Sequence, residues 1–112
     1  MFVINVTFDC ASPARLAEFW AAALDYEIVE IREDFAQLRN PDPRSVRNLM
    51  FFRVPESKTI KNRVHIDLAS RTAADDVQRL VDLGASVTGH GAGHGATWTV
   101  MADPEGNEFC IG

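Results

Sequence analysis

His65 and Asp67 stand two residues apart in Asn62–Ser70, NRVHIDLAS. Strand side chains alternate between faces, so a strand here puts Arg63, His65, Asp67 and Ala69 on one side and Val64, Ile66 and Leu68 on the other. A histidine beside an aspartate on a polar face suits acid–base chemistry, ligand hydrogen bonding or metal ligation. Along the strand the pair is ~6.6 Å apart, so Asp67 polarises His65 only where the side chains bridge that gap. Arg63, on the same face, offers a partner to an anion. The other two histidines, His90 and His94, lie in GHGAGHG. On a helix that spacing would point both at one zinc ion. Its interleaved glycines disfavour a helix at about 1 kcal/mol each, so residues 89–95 are expected to form a mobile hairpin loop rather than a metal site.

Elements that position these residues are readable from periodicity. FVINVTFD alternates, with Phe2, Ile4, Val6 and Phe8 on an apolar face and Val3, Asn5, Thr7 and Asp9 opposite. Cys10 continues the apolar side. Ser12 is a suitable N-cap and Pro13 a suitable first residue for the helix that follows, because proline's missing N–H has no helical partner there anyway. Leu16, Phe19, Trp20, Ala23 and Leu24 give that helix an apolar stripe. YEIVEIRE, FAQLRN and NLMFFRV then read as strands. After a polar linker, PESKTIKN, the order begins again. RVHIDLAS is a strand, Thr72 caps a helix with a stripe of Ala74, Val77, Leu80 and Val81, and Gly84 ends it. ASVTGH, ATWTVMAD and EFCIG are strands, with DPEGN a type I turn between the last two. Trp98 and Phe52 read as packing residues.

The composition excludes several function classes. A chain of 112 residues with 46% hydrophobic and 24% charged residues fits one globular domain, residues 1–112. A net charge of -5 leaves no excess cation for phosphates, so neither nucleic acid nor an anionic membrane is an expected partner. No apolar run approaches the ~18 residues of a membrane span, and MFVINVTFDC lacks the basic region of a signal peptide. Two cysteines are too few for a disulfide scaffold, so a reducing cytoplasm is the expected location.

Strand, helix and three strands thus occur twice, with Asn5 opposite His65 and Ser12 opposite Thr72. VTFDCASPARLAEFWAAALDYEIV, LMFFRVPESKTIKNRVHIDL, RLVDLGASV and WTVMADPEGNEFCI, in that order, resemble the small glyoxalase-like domains of the vicinal oxygen chelate superfamily. That is the group of glyoxalases, bleomycin-resistance proteins and extradiol dioxygenases. The resemblance implies an α+β fold of two βαβββ modules, residues 1–56 and 60–112, forming curled sheets around a cleft with helices outside. In metal-bearing members four side chains, usually His or Gln and Glu, come from the first and last strand of each module, and the ion acts as a Lewis acid.

Carried over by position, the first-strand members are Asn5 and His65. The final glutamate's place is held by Cys110, and the 59-residue spacing from Asn48 to Asn107 makes Phe51 its counterpart. Phenylalanine cannot coordinate and an Asn oxygen is a poor ligand. No cofactor is therefore expected; a divalent Zn, Ni, Mn or Fe ion, held by His65 and Cys110, is the minority expectation. Asn5, Phe51, His65, Asp67 and Cys110 are the expected ligand-binding residues, with His65 the candidate catalytic group. Cys110 is either a thiol beside His65 or a buried cysteine. The expected function is binding of a small oxygenated or aromatic molecule, with or without metal-independent turnover. The alternatives are a metal-dependent lyase, isomerase or dioxygenase and an antibiotic-sequestering protein. A homodimer is implied by the resemblance.

Overall fold

The computed structural model describes residues 1–112, which form two compact units, Met1–Ser57 and Lys58–Gly112. Each is a βαβββ module. The first runs β1 (Asn5–Cys10), α1 (Pro13–Leu24), β2 (Glu27–Ile31), β3 (Phe35–Arg39) and β4 (Asn48–Arg53). The second runs β5 (Asp67–Leu68), α2 (Ala73–Leu83), β6 (Ser86–Gly93), β7 (Ala96–Ala102) and β8 (Glu108–Ile111). The sheets are ordered β1-β4-β3-β2 and β5-β8-β7-β6. In both, the first and last strands pair in parallel and the other pairs are antiparallel. Helix and hairpin supply the long connection that a parallel pair requires.

Module one packs as its periodicity predicts. Ser12 Oγ accepts the Arg15 amide at 3.4 Å, Pro13 opens α1, and Asp25 closes it in the left-handed conformation at φ 58°. Leu16, Phe19 and Trp20 are buried, together with Ala36, Leu38, Leu49 and Cys10. The Phe8 ring stacks on Phe51 with centroids 5.1 Å apart and lies 5.6 Å from Trp20. Phe51 is fully buried.

Module two buries Leu80, Ala85, Met101, Phe109 and Ile111. Of the expected α2 stripe only Leu80 is fully covered; Ala74 and Val81 are exposed. Thr72 stands at the N-cap but its hydroxyl does not cap the helix. Ser70 fixes the approach instead, its Oγ accepting the Thr72 amide at 2.9 Å and donating to Asp76 at 2.6 Å. DPEGN is the expected turn: the Gly106 amide reaches the Asp103 carbonyl at 2.9 Å. The buried Asp103 carboxylate accepts the Glu105 and Asn107 amides and the Asn107 side chain.

Three expectations about elements need correction. β1 begins at Asn5, leaving Phe2, Val3 and Ile4 exposed ahead of it. The NRVHIDLAS strand shrinks to Asp67–Leu68, extended to Ile66 and Ser70 by single backbone bonds to Cys110 and Gly112, while Arg63 and Val64 form a bend. Its partner β8 starts only at Glu108, and there the carboxylate of Glu108 binds the Asn62 amide at 2.9 Å, satisfying that donor without a ladder. Finally, the strand read in ASVTGH does not give way to a loop but runs on through residues 91–93. Only His94 and Gly95 form the turn, at φ 51° and 76°, the two positive values that a two-residue hairpin of type I′ demands.

Candidate functional site

Strand register decides which side chains share a face. In module two Asp67 pairs with Cys110, and Cys110 with Val100. Phe109 and Ile111 face the core, so Glu108 and Cys110 point the other way. Trp98 follows Val100 by alternation. Over this face lies a cavity of about 580 Å³. Its polar lining is His65, Asp67, Cys110, Glu108 and Lys61; its apolar lining includes Trp98, Val100, Leu68 and alanines 69 and 96. Val100 stands beside Cys110, and Trp98 beside Gly112.

Among the polar groups, His65 Nε2 lies 3.2 Å from Asp67 Oδ1, so the side chains do bridge the gap along the backbone. With Cys110 they form a cluster whose donor atoms all lie within 4.8 Å of one another. The imidazole is 45% exposed and the carboxylate 75%, which leaves both accessible to a ligand. Burial and the neighbouring Asp67 carboxylate push the Cys110 thiol up, so it stays protonated at neutral pH. Glu108 is held below the usual carboxylate range, first by the Asn62 amide and then by Lys58, whose Nζ lies 3.0 Å away. This carboxylate stays ionised and ties the Lys58–Asn62 segment to β8.

The expected site residues are distributed unequally. His65, Asp67 and Cys110 come together. Arg63 does not line the cavity; Lys61 supplies the cation. His90 lines a different hollow, and His94 sits in the exposed turn. Phe51 is not a ligand-facing residue: it lies in the module-one core against Phe8. The difference is one residue of register. Thr7 pairs with Met50 as Asp67 pairs with Cys110, so the internal repeat is offset by 60 residues, not 59. Met50 is therefore the counterpart of Cys110 and Asn48 of Glu108. A one-residue slip turns every side chain to the opposite face. Asn5 keeps its place on the non-core face and accepts the Asn48 side-chain amide at 2.9 Å, while Gln37 donates to Asn48 at 3.3 Å. Trp98, expected only to pack, is the cavity's aromatic wall. Its alternation with Val100 and the glycines facing it are the sequence signal for that role.

With two βαβββ modules and this site in view, comparison with known proteins is decisive for the family. The sequence profile described as the glyoxalase-like domain matches residues 5–112. The chain belongs to the glyoxalase-like domain family. No curated protein sequence matches it. Similar solved structures include a possible glyoxalase from Bacillus cereus, 20% identical at TM-score 0.72, covering 99% of this chain and 97% of that one. The bleomycin-binding protein of Streptomyces verticillus, complexed with copper(II)-bleomycin, is 14% identical at TM-score 0.64, covering 99% and 94%. The fosfomycin resistance protein FosX of Listeria monocytogenes, complexed with Mn(II) and 1S,2S-dihydroxypropylphosphonic acid, is 10% identical at TM-score 0.79, covering 98% and 87%. At these identities the likeness is one of fold. Against the metal positions that the family resemblance implies, this glyoxalase-like domain keeps one histidine, His65. Asn5, Met50 and Cys110 hold the other places. Asp67 adds a donor from outside those positions, which makes His65, Asp67 and Cys110 three donors of the kinds that zinc accepts.

Proposed function

We propose that this glyoxalase-like domain binds a small oxygenated aromatic molecule in the module-two cavity. Its ring lies against Trp98 and its oxygens meet His65, Asp67 and Cys110. The observation that carries this reading is a single cavity lined both by the His65, Asp67 and Cys110 cluster and by the Trp98 indole. Such pockets fix orientation with few polar groups and gain affinity from apolar contact. Cys110, as a neutral thiol, can donate a weak hydrogen bond; Asp67 can accept a ligand hydroxyl. With Nε2 3.2 Å from the Asp67 carboxylate, Nδ1 is the ring nitrogen left to meet a ligand. Two of the similar solved structures hold small molecules, bleomycin and a phosphonic acid, which agrees with a small-molecule role for this fold.

The test is a thermal-shift screen of phenols and catechols against cyclohexanols of the same hydroxylation, since binders of the native state raise the melting temperature. Phenolic compounds shift the wild type; His65→Ala and Trp98→Ala each abolish the shift. His65 is exposed, so His65→Ala alone melts close to wild type; Trp98 is largely covered, so the shift in Trp98→Ala is read against that variant's own, lower melting temperature. Equal shifts from the saturated alcohols would sink the proposal.

A second reading rests on the donor cluster. His65, Asp67 and Cys110 would hold a divalent ion such as Zn²⁺, which when bound would supply Lewis-acid polarisation of a ligand oxygen. In that case Zn²⁺ alone raises the melting temperature of the wild type but not of Cys110→Ala, and elemental analysis finds one ion per chain. Elemental analysis without metal, and no shift, removes this reading and leaves the first intact.

A further inference from the structure

Gly91 and Trp98 are cross-strand partners on β6 and β7. A Cβ built on Gly91 would overlap Nε1 and Cε2 of the indole and stand 2.5 Å from Cζ2. One built on Gly93 would stand 3.7 Å from Cη2. The indole therefore lies flat over the bare backbone of β6, which is the edge strand of its sheet. It is turned away from β8, where Cys110 and Gly112 stand. The space over β7, β8 and β5 that the ring leaves open is the cavity.

Nothing in the backbone asks for glycine at this position. The glycines with positive φ are 84, 95 and 106, and Gly91 is not among them. A glycine in a strand weakens it, since it brings conformational entropy and no packing. Gly89, two residues earlier on the same strand, has nothing within 4 Å of an added methyl and makes an internal control. What glycine provides at 91, and not at 89, is a seat for the ring.

We infer that Gly91 is a specificity-determining residue: by seating the Trp98 indole over β6 it sets the width of the cavity, and so admits fused two-ring ligands beside the His65, Asp67 and Cys110 cluster. The inference rests on the functional reading above and adds the ligand's size class. A methyl at 91 lifts the ring, and the free direction is toward β8, into the cavity. The loss falls on wide ligands, because the cluster of His65, Asp67 and Cys110 is untouched.

Two probes share vicinal hydroxyls and differ in width, catechol with one ring and 2,3-dihydroxynaphthalene with two. Isothermal titration of wild type, Gly91→Ala, Gly89→Ala and Gly91→Ala/Trp98→Phe distinguishes the outcomes. Gly91→Ala weakens 2,3-dihydroxynaphthalene at least about tenfold and catechol about threefold or less. Gly89→Ala changes neither. Adding Trp98→Phe, a smaller ring, restores the two-ring probe. Independently of any ligand, the Trp98 indole N–H resonance moves in Gly91→Ala and stays in Gly89→Ala. Equal losses for both probes, no rescue, or an unmoved indole resonance would overturn the inference. If neither probe binds wild type while the resonance moves as expected, the binding proposal fails and the seating of the ring stands.

Discussion

Asp67 acts on two neighbours at once. Its carboxylate lies 3.2 Å from His65 Nε2, and it raises the Cys110 thiol, after burial, which is the larger cause. A thiol reacts through its thiolate, so Cys110 alkylates slowly at pH 7–8 although it faces the cavity. Asp67→Asn removes the charge but not the burial. Cys110 in that variant therefore reacts with iodoacetamide several-fold faster at pH 8, still slower than free cysteine, and mass spectrometry reads the difference. Cys10, buried with Sγ 3.5 Å from the Phe52 carbonyl, serves as the unreactive internal standard. An unchanged rate in Asp67→Asn would show that burial alone protects the thiol. At this scale alternation was a sound guide for Asp67 and Cys110, which pair across β5 and β8; His65 lies just ahead of β5, and its side chain reaches Asp67 from outside the strand. Phe51 failed because a residue-counting offset cannot see which of two neighbouring residues a strand turns inward; pairing of Thr7 with Met50 settles it.

Among the elements, Glu108 stands in for a missing strand end. Its carboxylate holds the Asn62 amide and Lys58, so the approach to β5 is fixed by a side chain where the ladder stops. Its pKa is depressed on folding, so the unfolded chain binds more protons as the pH falls. The stabilisation is complete above glutamate's ordinary pKa of ~4.3 and is lost as pH falls below it through the folded value. Glu108→Gln is thus less stable than wild type at pH 7, and the gap closes toward pH 3, as urea melts at the two pH values will show. A constant gap across that range would mean that the carboxylate's charge plays no part. The same variant frees Lys58, and trypsin cuts after it faster than in the wild type. Neither this clamp nor the strand at 91–93 was readable in the sequence. Glycine-rich runs read as loops, because their strand propensity is weak; here cross-strand pairing with β7 overrides it.

For the whole molecule, acidity is the governing property. A net charge of -5 and a pI of about 5.0 give copies a mutual repulsion at neutral pH. The exposed apolar side chains Phe2, Val3, Ile4, Ile60 and Val64 become the dominant surface interaction once that charge is neutralised. Light scattering from pH 4 to 8 should peak near pH 5.0, and salt should raise scattering at pH 7 by screening the repulsion. Flat scattering through the pI would show that these side chains do not associate. The sequence by itself determined the α+β class, the twofold βαβββ order and the apolar faces, because periods of two and 3.6 residues are local properties of the chain. Tertiary structure alone decided the 60-residue register, the seat of Trp98 on Gly91 and the meeting of His65 with Asp67 and Cys110. Those depend on which strands pair and in which frame, and pairing joins residues such as Asp67 and Cys110 that no local pattern connects.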